Sequence, residues 1–252
     1  MSLQQFQGKV AIVTGSGGGI GEAYARSLAA AGASVVVAEI DKERGTRVAA
    51  DITASGGRAQ YVEVDVSSPE STRAMAEQTV AAFGGIDYLV NNAAIYGGMK
   101  LARLLDVDWD YYQRFMSVNM NGALLCIRAC YPEIAKRGSG AIVNQSSTAA
   151  WMAVGYYGVA KLALNGITQA LARELGPMKI RVNAIAPGPT DTEATRQIVP
   201  EAFRSMLVQQ MPLARLGTVD DLVGACLFLL SDASSWMTGQ IVQVDGGQVM
   251  RP

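Results

Sequence analysis

The stretch KVAIVTGSGGGIGEAYA, residues 9–25, decides how the chain folds. It begins as an apolar, β-branched run, closes on a cluster of glycines and continues in a helical pattern. Glycine lets a backbone turn with positive φ and lets a ligand come close to the main chain. The helix that follows offers unpaired amides and a positive dipole end to a pyrophosphate. The spacing is Gly15-x-x-x-Gly19-x-Gly21, which differs from the general GxGxxG dinucleotide fingerprint. No Gly-Lys-Ser/Thr follows, so this is not a nucleoside triphosphate loop. A glycine-rich turn alone can be merely structural; one lying between a strand and a helix reads as a cofactor loop.

The same alternation runs outward to the C-terminus. Residues 33–39, 59–66, 86–93, 140–147, 180–188 and 240–247 repeat the short apolar run of 9–15, giving seven expected strands. Their largely apolar character suits strands covered on both faces. Helical patterns occupy 21–31, 42–55, 69–83, 109–136, 156–175 and 219–230, and Ser67–Ser68 ahead of Pro69 reads as a helix start. Alternation of this length predicts an α/β fold: a doubly wound, seven-stranded parallel sheet, Rossmann-like, flanked by helices. No linker, repeat or low-complexity tract divides it, so residues 1–252 are expected to form one domain. Residues 189–217 break the rhythm with Pro189, Pro200 and Pro212, scattered methionines and no strand. They read as a small lid insertion near the strand tips.

Composition narrows the function. Half the residues (50%) are hydrophobic and 17% are charged, which favours a large core over disorder. With 21 basic and 22 acidic residues there is no basic excess to grip a phosphate backbone, and no nucleic-acid partner is expected. No apolar run reaches the roughly 18 residues that span a bilayer. The opening MSLQQFQGKV lacks the charged and apolar regions of a leader. Three cysteines, Cys126, Cys130 and Cys226, without a CxxC fit packing roles in a reducing compartment, so a cytoplasmic protein is expected. There is no histidine. That removes Ser-His-Asp and Cys-His triads and HExxH zinc sites, and no metal is expected. Proton transfer must then use Tyr, Lys, Cys or a carboxylate.

Strand ends carry the candidate chemistry. Glu39 ends the second strand, where an acidic side chain holds the adenosine ribose hydroxyls and repels a 2′-phosphate. No Arg or Lys lies in the glycine loop or at position 40, although Lys42 is close, so NAD is expected in preference to NADP. The alternative for Glu39 is a solvated strand-end carboxylate. NNAA (91–94) ends the fourth strand, and Asn119 sits inside a helical pattern that asparagine does not favour. In SSTAAWMAVGYYGVAK (146–161), Tyr157 and Lys161 are four apart and share a helical face. Tyr156 is displaced from Lys161 by roughly 140° round the cylinder. An ammonium one turn away favours phenolate over phenol. Ser147 ends the preceding strand and offers a hydroxyl to a carbonyl. YxxxK alone is a common chance pair; its place behind NQSS strengthens it.

At these residues the chain resembles the short-chain dehydrogenase/reductase family over essentially its full length. The resemblance rests on TGSGGGIG, Asp65 in VDV, NNAA, VNMNG, IVNQSS, YGVAK, RVNAIAPGPTDT and VDGG in order. It implies a catalytic tetrad of Asn119, Ser147, Tyr157 and Lys161. Tyr157 would be the acid/base, Lys161 would lower its pKa and hold the nicotinamide ribose, Ser147 would orient the substrate oxygen, and Asn119 would support a proton relay through water. It also implies that Gly15, Gly19, Ile20 and Gly21 cradle the pyrophosphate and that Glu39 binds the ribose. Asp65 and Val66 would bind the adenine, Asn91 the adenosine side, and Pro187, Gly188 and Thr192 would border the nicotinamide. Two departures stand out: Ala94 replaces the glycine of the family's NNAG, and the interval from Ser147 to Tyr157 is a few residues short.

The expected function is an NAD-dependent oxidoreductase for a secondary alcohol or ketone, apolar or cyclic; the resemblance further implies a homotetramer, with the helices over 109–136 and 156–175 pairing across its interface. Tyr96, Trp151, Met152 and Tyr156, with Met206 and Met211 from the lid, are candidates for an apolar substrate pocket. The alternative within the class is a 3-oxoacyl thioester reductase, which more often carries a basic residue near position 18, where this chain has Gly18. A silent NAD-binding regulator needs no paired Tyr and Lys. A structural assembly protein leaves the glycine loop unexplained.

Overall fold

Val10–Thr14 forms a wholly buried strand, β1. The structure is a computed structural model that describes residues 5–251; Met1–Gln4, at the start of the opening stretch, and Pro252 lie outside the described residues. Side chains alternate across a strand. In β1, Ala11 and Val13 accordingly enter one core and Ile12 the other. The chain continues through α1 (Gly19–Ala30), β2 (Ser34–Glu39), α2 (Lys42–Ala54), β3 (Arg58–Glu63), α3 (Pro69–Phe83) and β4 (Tyr88–Asn91). Then come α4 (Trp109–Met116), α5 (Gly122–Lys136), β5 (Gly140–Gln145), α6 (Gly155–Leu175) and β6 (Ile180–Pro187). The last elements are α7 (Glu193–Ile198), α8 (Glu201–Gln210), α9 (Val219–Leu230) and β7 (Ile241–Val244).

All strand pairings are parallel, in the order β3-β2-β1-β4-β5-β6-β7. This is the expected seven-stranded doubly wound sheet. Valines and small residues of the central strands meet Tyr24, Leu28, Ile52 and Leu229 from α1, α2 and α9 on one face. On the other face they meet Met75, Ile127, Ile134 and Leu175 from α3, α5 and α6. Burying both faces is what makes the central strands continuously apolar. The edge strand β3 departs from that expectation, with only Val62 fully buried. The three cysteines are buried thiols within these cores. Among the described residues no helix is long and apolar enough to cross a membrane.

Helix starts follow local chemistry. The Asp41 carboxylate accepts from the Arg44 amide (3.0 Å) at α2. Ser68 accepts from the Ser71 amide (3.1 Å) ahead of Pro69. Thr218 and Asp221 form a capping box at α9. Two expectations are refined. The single helix read over 109–136 is divided by a π-helical turn at Ser117–Asn121. The lid holds two helices, α7 and α8, parted where Pro200 caps the second, and a bridge between Thr190 and Gly217 closes its base.

Away from the strand tips, one carboxylate joins three elements. Asp87 is 1% exposed, accepts from the Val10 amide (2.9 Å) and pairs with Lys9 (3.3 Å) and Arg137 (3.2 Å). Both cations are half exposed and can rehydrate, so the lost hydrogen bonds dominate the cost of removal. Asp87→Ala is expected to destabilise by about 2 kcal/mol, measured by urea unfolding, while leaving ligand affinity at the strand tips unchanged; an unaltered midpoint would contradict this role.

Candidate active site

The sheet order reverses between β1 and β4, and there a cleft of about 640 Å³ opens at the carboxyl ends of the strands. Gly15 turns the chain out of β1 with φ of 63°. A β-carbon on Gly15 would stand 2.6 Å from Ala93 Cα, and one on Gly21 would overlap the Gly15 carbonyl and the Asn92 amide. Gly15, Gly19 and Ile20 line the cleft; Gly21 packs behind the turn. Gly18 caps α1 without a side-chain hydrogen bond, so no side chain competes for the first amides of the helix.

Asn92 fastens this turn. Its Nδ2 donates to the carbonyls of Thr14 (3.1 Å) and Gly15 (2.9 Å), and its own amide donates to Thr14 Oγ1 (3.0 Å). Asn91, the expected adenosine contact, instead turns into the core, donating to Asn144 Oδ1 (2.9 Å) and the Ala123 carbonyl (3.4 Å). Strand alternation is the cause: Asn91 shares the face of Leu89, which points at α5. Asn92, one step on, lines the cleft.

The carboxylate of Glu39 accepts from the amides of Gly17 (2.9 Å), Ile40 (2.9 Å) and Asp41 (3.2 Å), tying β2 to the glycine turn. Asp65 and Val66 line the same end. Asp65 is steadied by Ser67, whose hydroxyl donates to it (2.6 Å). Arg44, which the sequence did not single out, also lines the cleft. Helical periodicity was the available signal, since α2 begins beside the end of β2.

Ser147, Tyr157 and Lys161 meet on the cleft wall. Ser147 follows β5 and caps a 3₁₀ turn, accepting from the Ala149 amide (3.1 Å). Lys161 Nζ lies 5.8 Å from the centre of the Tyr157 ring and donates to the Gln145 carbonyl (2.7 Å). Burial pulls the Lys161 ammonium down to about 8. Burial, reinforced by the neighbouring Tyr96, pushes the Tyr157 phenol up, and only the nearby Ser147 hydroxyl opposes this. The Lys161 ammonium is itself engaged on the Gln145 carbonyl, and the direction of Tyr157 here is set by burial and by Tyr96. Asn119 is not among the residues lining the cleft. Its Oδ1 accepts from the Ile95 amide (2.7 Å) and its Nδ2 donates to the Ile95 carbonyl (2.9 Å), so its side chain braces the loop after β4 from within the π turn. A π turn inside an α-helix is commonly found at functional sites.

The lid borders this end. Pro187, Gly188 and Thr192 line the cleft; Thr192 caps α7, accepting from the Thr195 amide (3.1 Å). Tyr96 packs on Tyr157 with ring centres 5.3 Å apart. The other expected pocket residues are not among those lining the cleft. Tyr156 is 2% exposed, sits edge-on to Phe115 (4.6 Å) and donates to the Lys100 carbonyl. It lies on the helix face away from Lys161. Trp151 stacks under Arg251 (4.3 Å), and Met152 and Met206 are exposed.

These residues suit a nicotinamide dinucleotide. The glycine turn leaves a cradle that a β-carbon would fill, α1 presents uncapped amides, and the cleft runs from Asp65 to Tyr157. Gln145 lines the cleft, and its buried Nε2 has no hydrogen-bond partner among the described residues. Among the described residues no three Cys, Asp or Glu side chains converge as a metal site.

Known proteins match along the whole chain. A family model described as enoyl-(acyl carrier protein) reductase matches residues 15–248. An uncharacterized oxidoreductase of Mycobacterium tuberculosis is 63% identical, over 98% of this chain and 99% of that one. A short-chain type dehydrogenase/reductase from Mycobacterium marinum superposes with a TM-score of 0.92 at 33% identity, covering 99% of this chain and 98% of the other. A 7α-hydroxysteroid dehydrogenase complexed with NADH and 7-oxo glycochenodeoxycholic acid superposes with a TM-score of 0.91 at 34% identity, covering 98% and 96%.

The buried lysine has a pH signature. Its folded value, about 8, lies below the ordinary 10.5. Between these the unfolded chain binds more protons, so stability rises with pH; below about 8 the full cost of the buried charge is present. Lys161→Met should therefore melt higher than the parent at pH 7, with a smaller gain at pH 10, in thermal scans. A gain equal at both would show that Lys161 is not strained by burial.

Proposed function

The chain belongs to the short-chain dehydrogenase/reductase family, and on that premise we propose that it interconverts a secondary alcohol and a ketone with NAD(H), in preference to NADP(H). The observation that carries this is the meeting of Ser147, Tyr157 and Lys161 on one wall of a cleft whose other end is the glycine turn. A bound nicotinamide supplies the site for hydride transfer. The protein supplies the proton and the orientation. Ser147 directs its hydroxyl at the substrate oxygen. Tyr157 gives its phenolic proton in reduction and, as phenolate, takes the hydroxyl proton in oxidation. Lys161 is an ammonium at neutral pH and steadies the negative charge that forms on Tyr157. Because Tyr157 is pushed up, phenolate is scarce at pH 7, so oxidation should quicken with rising pH while reduction does not.

The aromatic wall made by Tyr96 and Tyr157 supports an apolar or cyclic substrate. Glu39 at the ribose end supports NAD. A homotetramer in the cytoplasm completes the reading: α6 leaves Val159 and Leu162 exposed, and α4 leaves Trp109 65% exposed.

Tyr157→Phe should still quench on titration with NADH but lose about 10²–10⁴ of its turnover in nicotinamide absorbance assays over a panel of cyclic alcohols and ketones. Turnover close to the parent's would end the assignment. Light scattering should give four chain masses, and Leu162→Asp should lower them; a monomeric parent would remove the tetramer.

A further inference from the structure

Resting on the oxidoreductase reading, we propose that Gln248 is a positioning residue for Ser147: acting through Thr148, it sets the angle at which the Ser147 hydroxyl meets the substrate oxygen. Thr148 follows Ser147 directly and opens the 3₁₀ turn Thr148–Trp151 that Ser147 caps. It is 4% exposed, and its hydroxyl reaches two acceptors, Gln248 Oε1 (2.8 Å) and the Pro187 carbonyl (3.2 Å). A hydroxyl has one proton to give, and the shorter contact is the one to Gln248. A residue 100 positions away in sequence therefore holds the serine turn, beside the end of β6 where Pro187 borders the cleft.

Gln248 is itself firmly mounted. It follows the VDGG stretch, which the glycine turn and the Ser147, Tyr157 and Lys161 wall leave without a role. The Asp245 carboxylate accepts from the Gly247 and Val249 amides (both 2.9 Å), and Gln243 Nε2 donates to the Val249 carbonyl (2.9 Å). The Gln248 amide donates to the Asp245 carbonyl (3.2 Å). A side chain carried on so fixed a main chain imposes a position on its partner rather than following it. The same turn meets the other walls at this end of the cleft. A β-carbon on Gly188 would stand 2.7 Å from Asp245 Cα, and the Leu213 amide at the base of the lid donates to the Gly246 carbonyl (3.0 Å). Arg251 lies over the Trp151 ring (4.3 Å), a second tie to the far end of the serine turn. Lid base, β6 end and serine turn are therefore registered to one short turn.

The test compares the parent with Gln248→Leu, Gln248→Glu, Thr148→Val and the Gln248→Leu/Thr148→Val double variant. NADH affinity is read by fluorescence, folding by thermal melts, and kcat and KM by nicotinamide absorbance on the cyclic ketone that the parent reduces fastest. Losing the bond that orients Ser147 makes Gln248→Leu and Thr148→Val each lower kcat about tenfold, while NADH affinity changes by less than about twofold and each variant still melts cooperatively. Orientation lost in the transition state falls on kcat rather than on KM. The double variant should be no slower than either single one, because both remove the same bond. Gln248→Glu keeps an acceptor for the Thr148 proton and should restore most of the rate. An unaltered kcat in both single variants, costs that multiply in the double variant, or NADH affinity falling in step with kcat overturns the proposal. So does a Gln248→Glu enzyme as slow as Gln248→Leu. Should Gln248→Leu fail to fold, Thr148→Val carries the same expectation alone. A parent that binds no NADH, or reduces no ketone of the panel, overturns the oxidoreductase reading itself and Gln248's role with it.

Discussion

The backbone of Gly15 rests against that of Ala93 with no space for a carbon between them, and the geometry of the cleft depends on this contact. It forces the first loop to leave β1 in a left-handed turn and brings the loop after β4 alongside it. Asn92 then bonds the two carbonyls it meets. The crevice exists because β1 is followed in space by β4 rather than by its sequence neighbour, so their loops part in opposite directions. Main-chain contacts fix the opening of α1, and the surfaces offered to a ligand are accordingly amides rather than side chains.

The other end of the cleft is governed by desolvation. In a chain without imidazole the proton carriers are a phenol and an amine, and burial disfavours the charged form of each. Their ionised forms, phenolate and ammonium, would be poor alone and good together. That coupling ties proton transfer at Tyr157 to the charge state of Lys161. The Gln145 carbonyl, 2.7 Å from Nζ, helps hold the ammonium in place.

Much of this was legible in the sequence because the signals are periodic. Apolar runs of strand length gave the sheet, and the four-residue step from Tyr157 to Lys161 put the pair on one face and turned Tyr156 away. Tyr156, an expected pocket residue, instead spends its phenol on the Lys100 carbonyl. The motif favours Asn91 as the ligand contact, whereas alternation along β4 assigns Asn91 to the core and Asn92 to the cleft. What local pattern does not show are tertiary contacts between distant segments: Tyr96 on Tyr157, Arg44 near Glu193, and the pairing of Asn119 with Ile95. Local pattern carries no record of which loops will meet, and neither Trp151 nor Met206 advertised that it would lie outside the cleft.

The wide turn at Ser117–Asn121 fixes more than the position of one amide. Each residue advances a helix by about 100°, and a π turn holds one more residue than an α turn. The side chains upstream, Arg114 at the cleft and Trp109 at the surface, are therefore indexed to α5 through that extra residue. Were Ser117–Asn121 to tighten into a regular helix with all its residues kept, the upstream face would swing by about 100°. The widened turn thus sets which upstream side chains face the cleft.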